Sequence, residues 1–238
     1  ADAVRAAWGA RTRGVLLASP SNPTGTSIER AEMRRIVEAV RERGGFTLVD
    51  EIYLGLSYDE AYGHSALEHG VGHGDDVIAI NSFSKYFGMT GWRLGWLVLP
   101  EALVPAVEKL AQNLYICASS LAQQAALACF EPASLAECER RREAFRARRD
   151  FVVPALERLG LSVPVMPDGA FYAYADVSAH AASSWDFCFD LMRRAQVALT
   201  PGRDFGPQAG ERFLRLSFAR SMAELQEAMD RLDRVLAG

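Results

Sequence analysis

The chain has 238 residues, half of them apolar and 24% charged, with a net charge of −4. This composition fits a globular protein of one or two domains and offers no basic surface for nucleic acid or an anionic membrane. No apolar run reaches the roughly 18–20 residues that span a bilayer, and Ala1-Asp2-Ala3-Val4-Arg5 has no signal-peptide pattern, so the expected compartment is the cytoplasm.

In chain order, Ala3–Trp8 reads as the tail of a helix. Gly14-Val15-Leu16-Leu17-Ala18 is a continuous apolar strand ending in the turn Ser19-Pro20-Ser21-Asn22-Pro23-Thr24-Gly25, with a cis bond open at Asn22-Pro23. Ser27 is the expected N-cap of an amphipathic helix that runs to about Arg43 and stops at Gly44-Gly45. The strand Phe46-Thr47-Leu48-Val49 delivers Asp50 and Glu51 at its C-terminal end. A Gly- and His-rich loop follows, then the strand Val77–Ile80, a lysine-bearing turn, and the strand Leu94–Leu99. This strand–helix–strand order predicts an open, mostly parallel α/β sheet, in which ligands bind beyond the carboxyl ends of the strands. Asn22, Asp50 and Lys85 all fall at such ends.

Past Pro100, Glu101–Cys129 and Ser134–Leu159 read as long helices. The arginines and acids of the second (Glu137, Glu139, Arg140-Arg141-Arg142, Glu143) alternate as on a solvated face. Strand-like Phe171–Ala175 and Phe213–Phe218 are flanked by helices at Ser184–Arg194 and Met222–Leu236. Residues 1–130 are therefore read as part of a larger α/β domain and 131–238 as a smaller α+β domain. Cys117, Cys129, Cys138 and Cys188 are scattered without a CxxC pair and read as free thiols. His64, His69, His73 and His180 lack metal-ligand spacing, and no metal site is expected.

The run Ser82-Phe83-Ser84-Lys85-Tyr86-Phe87-Gly88-Met89-Thr90-Gly91-Trp92-Arg93-Leu94-Gly95-Trp96 carries the chemistry. Desolvation at the mouth of a buried strand disfavours the ammonium form of a lysine, and a neutral lysine forms Schiff bases. Hydroxyls before Lys85 and a guanidinium eight residues after it suit a phosphate. A phosphate-bearing aldehyde, pyridoxal 5′-phosphate (PLP), satisfies both demands.

Together, Asn22-Pro23-Thr24-Gly25, Asp50-Glu51-Ile52-Tyr53, Ser82–Lys85 with Arg93, and Arg215 resemble the aspartate aminotransferase-like family, the fold-type I PLP-dependent aminotransferases of classes I and II. The motifs stand in the family's order from about Gly14 to the C-terminus. The resemblance implies a PLP-dependent transferase fold of type I, with an incomplete large domain of mostly parallel sheet and a smaller C-terminal domain. Lys85 matches the Schiff-base lysine, whose freed amine shuttles the Cα proton. Asp50 matches the carboxylate that keeps the pyridine nitrogen protonated. Tyr53 and Asn22 match the pair that hydrogen-bonds the ring phenolic oxygen. Ser82 and Arg93 match phosphate ligands, and Ser84 either joins them or caps the turn. Arg215 matches the arginine that clamps the substrate α-carboxylate, with Asn22 beside it. Glu51 should face the other side of its strand and receives no chemistry. Gly169–Tyr172 and Thr200–Gly206 shape the pocket mouth, and Arg203 reads as a surface loop residue.

The implied reaction is ping-pong amino transfer between an L-amino acid and a 2-oxo acid, in a protein that is a homodimer at full length and binds neither nucleic acid nor membrane. A lyase or synthase on the same scaffold, and the ligand domain of a transcription regulator, are the alternatives. Full-length members carry a longer first segment with a ring-stacking aromatic, a phosphate-binding helix start and a tyrosine that reaches across the dimer. Nothing before Gly14 matches these, so weak PLP binding and impaired transamination are expected of these 238 residues alone.

Overall fold

The computed structural model describes residues 1–70 and 76–236, so His73 lies outside the described residues. The chain divides into two compact units: Ala1–Pro20 with Ser27–Arg142, and Ser21–Thr26 with Glu143–Gly238.

In the first unit, helix α1 (Asp2–Ala7) precedes strand β1 (Gly14–Ala18), helix α2 (Arg30–Arg41) and strand β2 (Phe46–Asp50). Helix α2 starts later than Ser27 predicts. Glu29 stands at its N-cap without a side-chain bond, and Ser19 Oγ accepts the Ile28 N–H at 3.0 Å, which holds the preceding residues out of the helix. Met33, Ile36, Val37 and Val40 recur at helical spacing and are buried, while the arginines between them face water. Met33 and Val37 pack with Val49 and Val77 beneath the sheet. The helix ends where Gly44 takes a φ of +64°, a conformation that costs glycine little.

Strands β3 (Val77–Ser82) and β4 (Gly95–Val98) complete a sheet of order β1-β2-β3-β4. The first three strands are parallel, with Ala18 opposite Asp50 and Asp50 opposite Ile80. Strand β4 runs antiparallel to β3 and pairs Ser82 with Gly95. All four β4 residues are exposed. Parallel strands therefore deliver Asp50 and Ser82 to one edge of the sheet, as the apolar runs predict.

The helix expected across Glu101–Cys129 is two helices, α3 (Val104–Leu114) and α4 (Ser120–Leu127). The break falls at Ile116, whose φ of +71° is a conformation that a β-branched residue adopts only under strain. Helix α3 buries no residue, and Leu114 and Ile116 are 77% and 79% exposed. Helix α4 buries Ala122 and Ala126 against Phe83, Met89 and Leu94.

Helix α5 (Pro132–Arg158) lends its first turns to the first unit, which extends past residue 130 because Glu139 and Arg142 bond Tyr86 and Ser57. The second unit contains strand β5 (Tyr172–Asp176), helix α6 (Ser184–Arg194), strand β6 (Thr200–Pro201), strand β7 (Phe213–Ser217) and helix α7 (Met222–Leu236). Its antiparallel sheet has the order β5-β7-β6. Leu214 and Leu216 point into a core that includes Leu191, Phe218 and Leu232, which leaves Arg215 on the opposite face. The two-residue strand β6 had no periodic signal in the sequence.

Arg212 ties the β5 and β7 ends by donating from Nε to Asp176 Oδ2 at 2.6 Å. Burial works against the Asp176 carboxylate, but Arg212 and Ser178 outweigh it and hold the group down at about 2. A carboxyl depressed by folding stabilises the fold above its unfolded value of 3.8, and that stabilisation is lost as pH falls through about 2. The thermal midpoint should therefore fall between about pH 4 and pH 2. Asp176→Asn should show a shallower slope there in calorimetry, and equal slopes would refute the assignment.

Candidate active site

Strand β3 ends at Ser82, and the next residues form a tightly braced turn. Ser82 Oγ accepts the Ser84 N–H at 3.0 Å and donates to the Leu94 carbonyl at 3.2 Å. Gly88 N–H reaches the Lys85 carbonyl at 3.1 Å, Met89 N–H the Phe83 carbonyl at 3.0 Å, and Thr90 Oγ1 the Ser84 carbonyl at 2.7 Å. Phe83 is the turn's anchor in the core, and Lys85 is left half-buried. Its Nζ lies 5.6 Å from the centroid of the buried Tyr53 ring. The Ser82 hydroxyl is thus engaged by the turn itself, and Ser84 is buried within it.

Asp50 closes β2 half-buried, and its Oδ1 accepts the Ile52 N–H at 3.1 Å. Among the described residues it has no ion-pair partner. Glu51 turns the other way, as expected, and its buried carboxylate accepts Ala66 N–H at 2.7 Å and Ser65 Oγ at 2.9 Å. Burial pushes its carboxyl above the usual range despite those bonds. Glu51 is a brace for the loop after Tyr53 and has no place in the chemistry.

Arg93 adopts the left-handed conformation, with φ 52° and ψ 51°. Such strain in a non-glycine residue clusters at functional sites. Its Nη1 donates to the Thr90 carbonyl at 3.0 Å, and no carboxylate pairs with it among the described residues. The guanidinium borders a groove of about 640 Å³ lined by Trp92, Leu94, Tyr115 and Leu121.

In the second unit, Arg215 stands on β7 between Tyr174 of β5 and Thr200 of β6. Its guanidinium carbon lies 4.3 Å from the Tyr172 ring centroid and 4.8 Å from that of Phe205. Nη1 donates to Asn22 Oδ1 at 2.7 Å and Nη2 to Thr200 Oγ1 at 3.3 Å, whereas Nε is buried without a partner. Asn22 belongs to this unit because Gly25, at φ +68°, accepts the Asp168 and Gly169 N–H groups at 2.9 Å each. A side chain there would meet the Tyr172 carbonyl at 2.8 Å, so the turn demands glycine. The Asn22-Pro23 bond is cis, as is Ser19-Pro20. Among the described residues no carboxylate pairs with Arg215.

The structure thus groups Asp50, Tyr53, Ser82, Ser84, Lys85 and Arg93 in the first unit, and Asn22 with Arg215 in the second. The sequence reading missed the roles of Tyr172, Phe205 and Thr200 around Arg215, although it marked their two segments. Alternation on β7 was the available signal: it puts Arg215 on a face with aromatic neighbours. Arg203 pairs with Glu211 at 2.5 Å and lies over Trp185, which accounts for its charge locally.

The profile of the family described as Aminotransferase class I and II matches residues 1–232. The chain belongs to the class I and II aminotransferases. It is 39% identical to the valine–pyruvate aminotransferase of Mycobacterium tuberculosis over 92% of this chain and 56% of that protein. It is 35% identical to the aspartate aminotransferase of Thermotoga maritima, over 95% of this chain and 56% of that one. A solved aminotransferase from M. tuberculosis superposes with a TM-score of 0.93 at 38% identity, covering 99% of this chain and 60% of the other. The chain therefore has the fold-type I architecture and spans little more than half the length of the curated relatives it matches.

Class I and II aminotransferases use PLP, and the described residues fit that group. Arg93 is a cation without a carboxylate partner, suited to a phosphate. Asp50 is an anion without a cation, suited to a protonated pyridine nitrogen. Lys85 presents an amine beside the phenol-bearing Tyr53.

Proposed function

We propose that the whole protein is a PLP-dependent aminotransferase that moves an amino group between an L-amino acid and a 2-oxo acid by ping-pong Schiff-base chemistry. The observation that carries this reading is Lys85 beside Tyr53, at the sheet edge to which β2 delivers Asp50. When bound, PLP supplies a conjugated electron sink that lowers the cost of removing the substrate Cα proton.

The residues then divide the work. Lys85 Nζ holds the cofactor covalently between turnovers and, once freed, carries the proton to and from Cα. Asp50, which has no ion-pair partner among the described residues, would favour a protonated pyridine nitrogen. Tyr53 would hydrogen-bond the cofactor through Oη, and Asn22, by the family resemblance, would supply an amide donor to it. Arg93 would bind the phosphate, Ser84 would join it if its hydroxyl does not cap the turn, and Ser82 would do so if its hydroxyl leaves the Leu94 carbonyl. Arg215 would bind the substrate α-carboxylate through its planar fork, which lies near the Tyr172 and Phe205 rings and donates to Asn22 and Thr200.

In the same reading the protein is a cytoplasmic homodimer acting on small amino and 2-oxo acids, with no nucleic-acid or membrane partner. The unpaired cysteines and the exposed apolar residues of β4 and α3 support it. The relatives act, by name, on valine with pyruvate and on aspartate, so the donor class is open to a direct screen. The test is a panel of amino donors with 2-oxoglutarate as acceptor and PLP present, measuring the oxo acid formed. Stoichiometric oxo acid and glutamate support transamination. Ammonia with pyruvate would assign these residues to elimination instead, and no turnover with any donor would overturn the enzymatic reading.

A further inference from the structure

Tyr86 follows Lys85 directly, and its side chain leaves the lysine turn for helix α5. Its Oη donates to Glu139 Oε1 at 2.5 Å. The other Glu139 oxygen accepts Arg142 Nε at 2.8 Å, and Arg142 Nη1 donates to the Ser57 carbonyl at 3.0 Å. Ser57 ends the short turn Leu54–Leu56 that begins on Tyr53. The circuit also closes directly: a β-carbon on Gly55 would lie 2.6 Å from the Tyr86 ring, so the two loops are in contact there. The lysine loop and the tyrosine loop are therefore joined twice, once by packing and once through charged side chains on α5. From their alternation alone, these α5 charges read as a solvated face. Glu137 with Arg140 and Arg141 keep that role, but Glu139 and Arg142 do not.

We propose that Tyr86, Glu139 and Arg142 are positioning residues that hold the Lys85 loop and the Tyr53 loop at the spacing PLP requires. The inference rests on the cofactor roles proposed above for Lys85 and Tyr53. Magnitudes favour positioning over bulk stability. Glu139 is about half exposed, and ion pairs in such settings add little to global stability. A hydroxyl–carboxylate bond is nevertheless short and directional, and fixes geometry well. Burial and the neighbouring Glu139 raise the Tyr86 phenol above its ordinary value, so it remains a donor throughout the working pH range. Glycine at 55 completes the device, because any side chain there would push the loops apart.

The test compares the complete protein with its Tyr86→Phe, Glu139→Ala and Glu139→Gln variants. It uses PLP titration, thermal melting, and hydrogen exchange in peptides covering residues 53–58 and 83–90. Tyr86→Phe and Glu139→Ala should each weaken PLP binding about fivefold to tenfold and speed exchange in both peptides, with little change in the melting midpoint. Glu139→Gln keeps an acceptor for Tyr86 and should recover most of the affinity. The double variant Tyr86→Phe/Glu139→Ala should be no worse than either single, since both cut one circuit. Unchanged PLP affinity in the variants, or faster exchange confined to residues 83–90, would overturn the positioning role while leaving Lys85 as the cofactor lysine. Should the parent protein itself form no borohydride-reducible PLP adduct at Lys85, the functional reading fails and the inference with it, whatever the exchange pattern.

Discussion

In the complete protein, Lys85→Ala is expected to lower amino transfer on the order of 10⁴-fold, the upper range for removing a positioned acid–base group. The chain offers no substitute. It has two lysines among its 26 basic residues, and the other, Lys109, lies on helix α3, which buries nothing. Within these 238 residues the covalent assignment can be read cleanly: PLP followed by borohydride should label the Lys85 peptide and not the Lys109 peptide. Lys85→Arg keeps the charge but cannot form an imine, and should be as inactive as the alanine variant. The turn around the lysine is held by Ser82, Thr90 and backbone bonds that do not involve its side chain. Both variants should therefore fold normally by circular dichroism. Activity within tenfold of the parent in either variant would remove Lys85 from the mechanism.

Arg215 should show the second largest effect, of a different kind. Arg215→Leu loses a charge-assisted carboxylate contact worth about 2–5 kcal/mol, which corresponds to roughly 30-fold to several thousand-fold in kcat/KM. Arg215→Lys keeps the charge and should still lose at least about tenfold, because an ammonium has neither the planar fork nor the flat faces that lie near the Tyr172 and Phe205 rings. The loss should fall mainly on KM for the amino donor. Borohydride labelling of Lys85 should persist in both variants, since the role proposed for Arg215 is with the substrate and not with cofactor attachment. A drop confined to kcat, or loss of labelling, would show that Arg215 acts elsewhere.

Much of this was legible because parallel strands announce themselves as unbroken apolar runs. Gly14–Ala18, Phe46–Val49 and Val77–Ile80 each end in polar residues, and the turn after each run carries Asn22, Asp50 or Lys85. Less legible was anything decided by contact between distant segments. The rings beside the Arg215 guanidinium come from residues 172 and 205, and no local pattern relates them to residue 215. The Tyr86–Glu139 bond spans 53 residues and was hidden in a helix whose charge pattern reads as ordinary surface. Helix boundaries suffered similarly. Ser27 is a good cap in isolation, but Ser19 takes hold of the chain next to it, and the break at Ile116 carries no proline or glycine to mark it.

The bare β4 strand and helix α3 also govern how this chain behaves as a solute. An open strand edge beside Trp96, Leu97 and the nearly naked Leu114 and Ile116 is adhesive to any like surface. Attraction of this origin strengthens on warming from the cold and with excluded salts such as sulfate. Light scattering from the purified chain should accordingly rise with concentration, from ice temperature to 25 °C, and with added ammonium sulfate. Trp96→Glu with Leu114→Lys should abolish most of that rise. Scattering that stays flat under all three conditions would mean the surface is covered in solution.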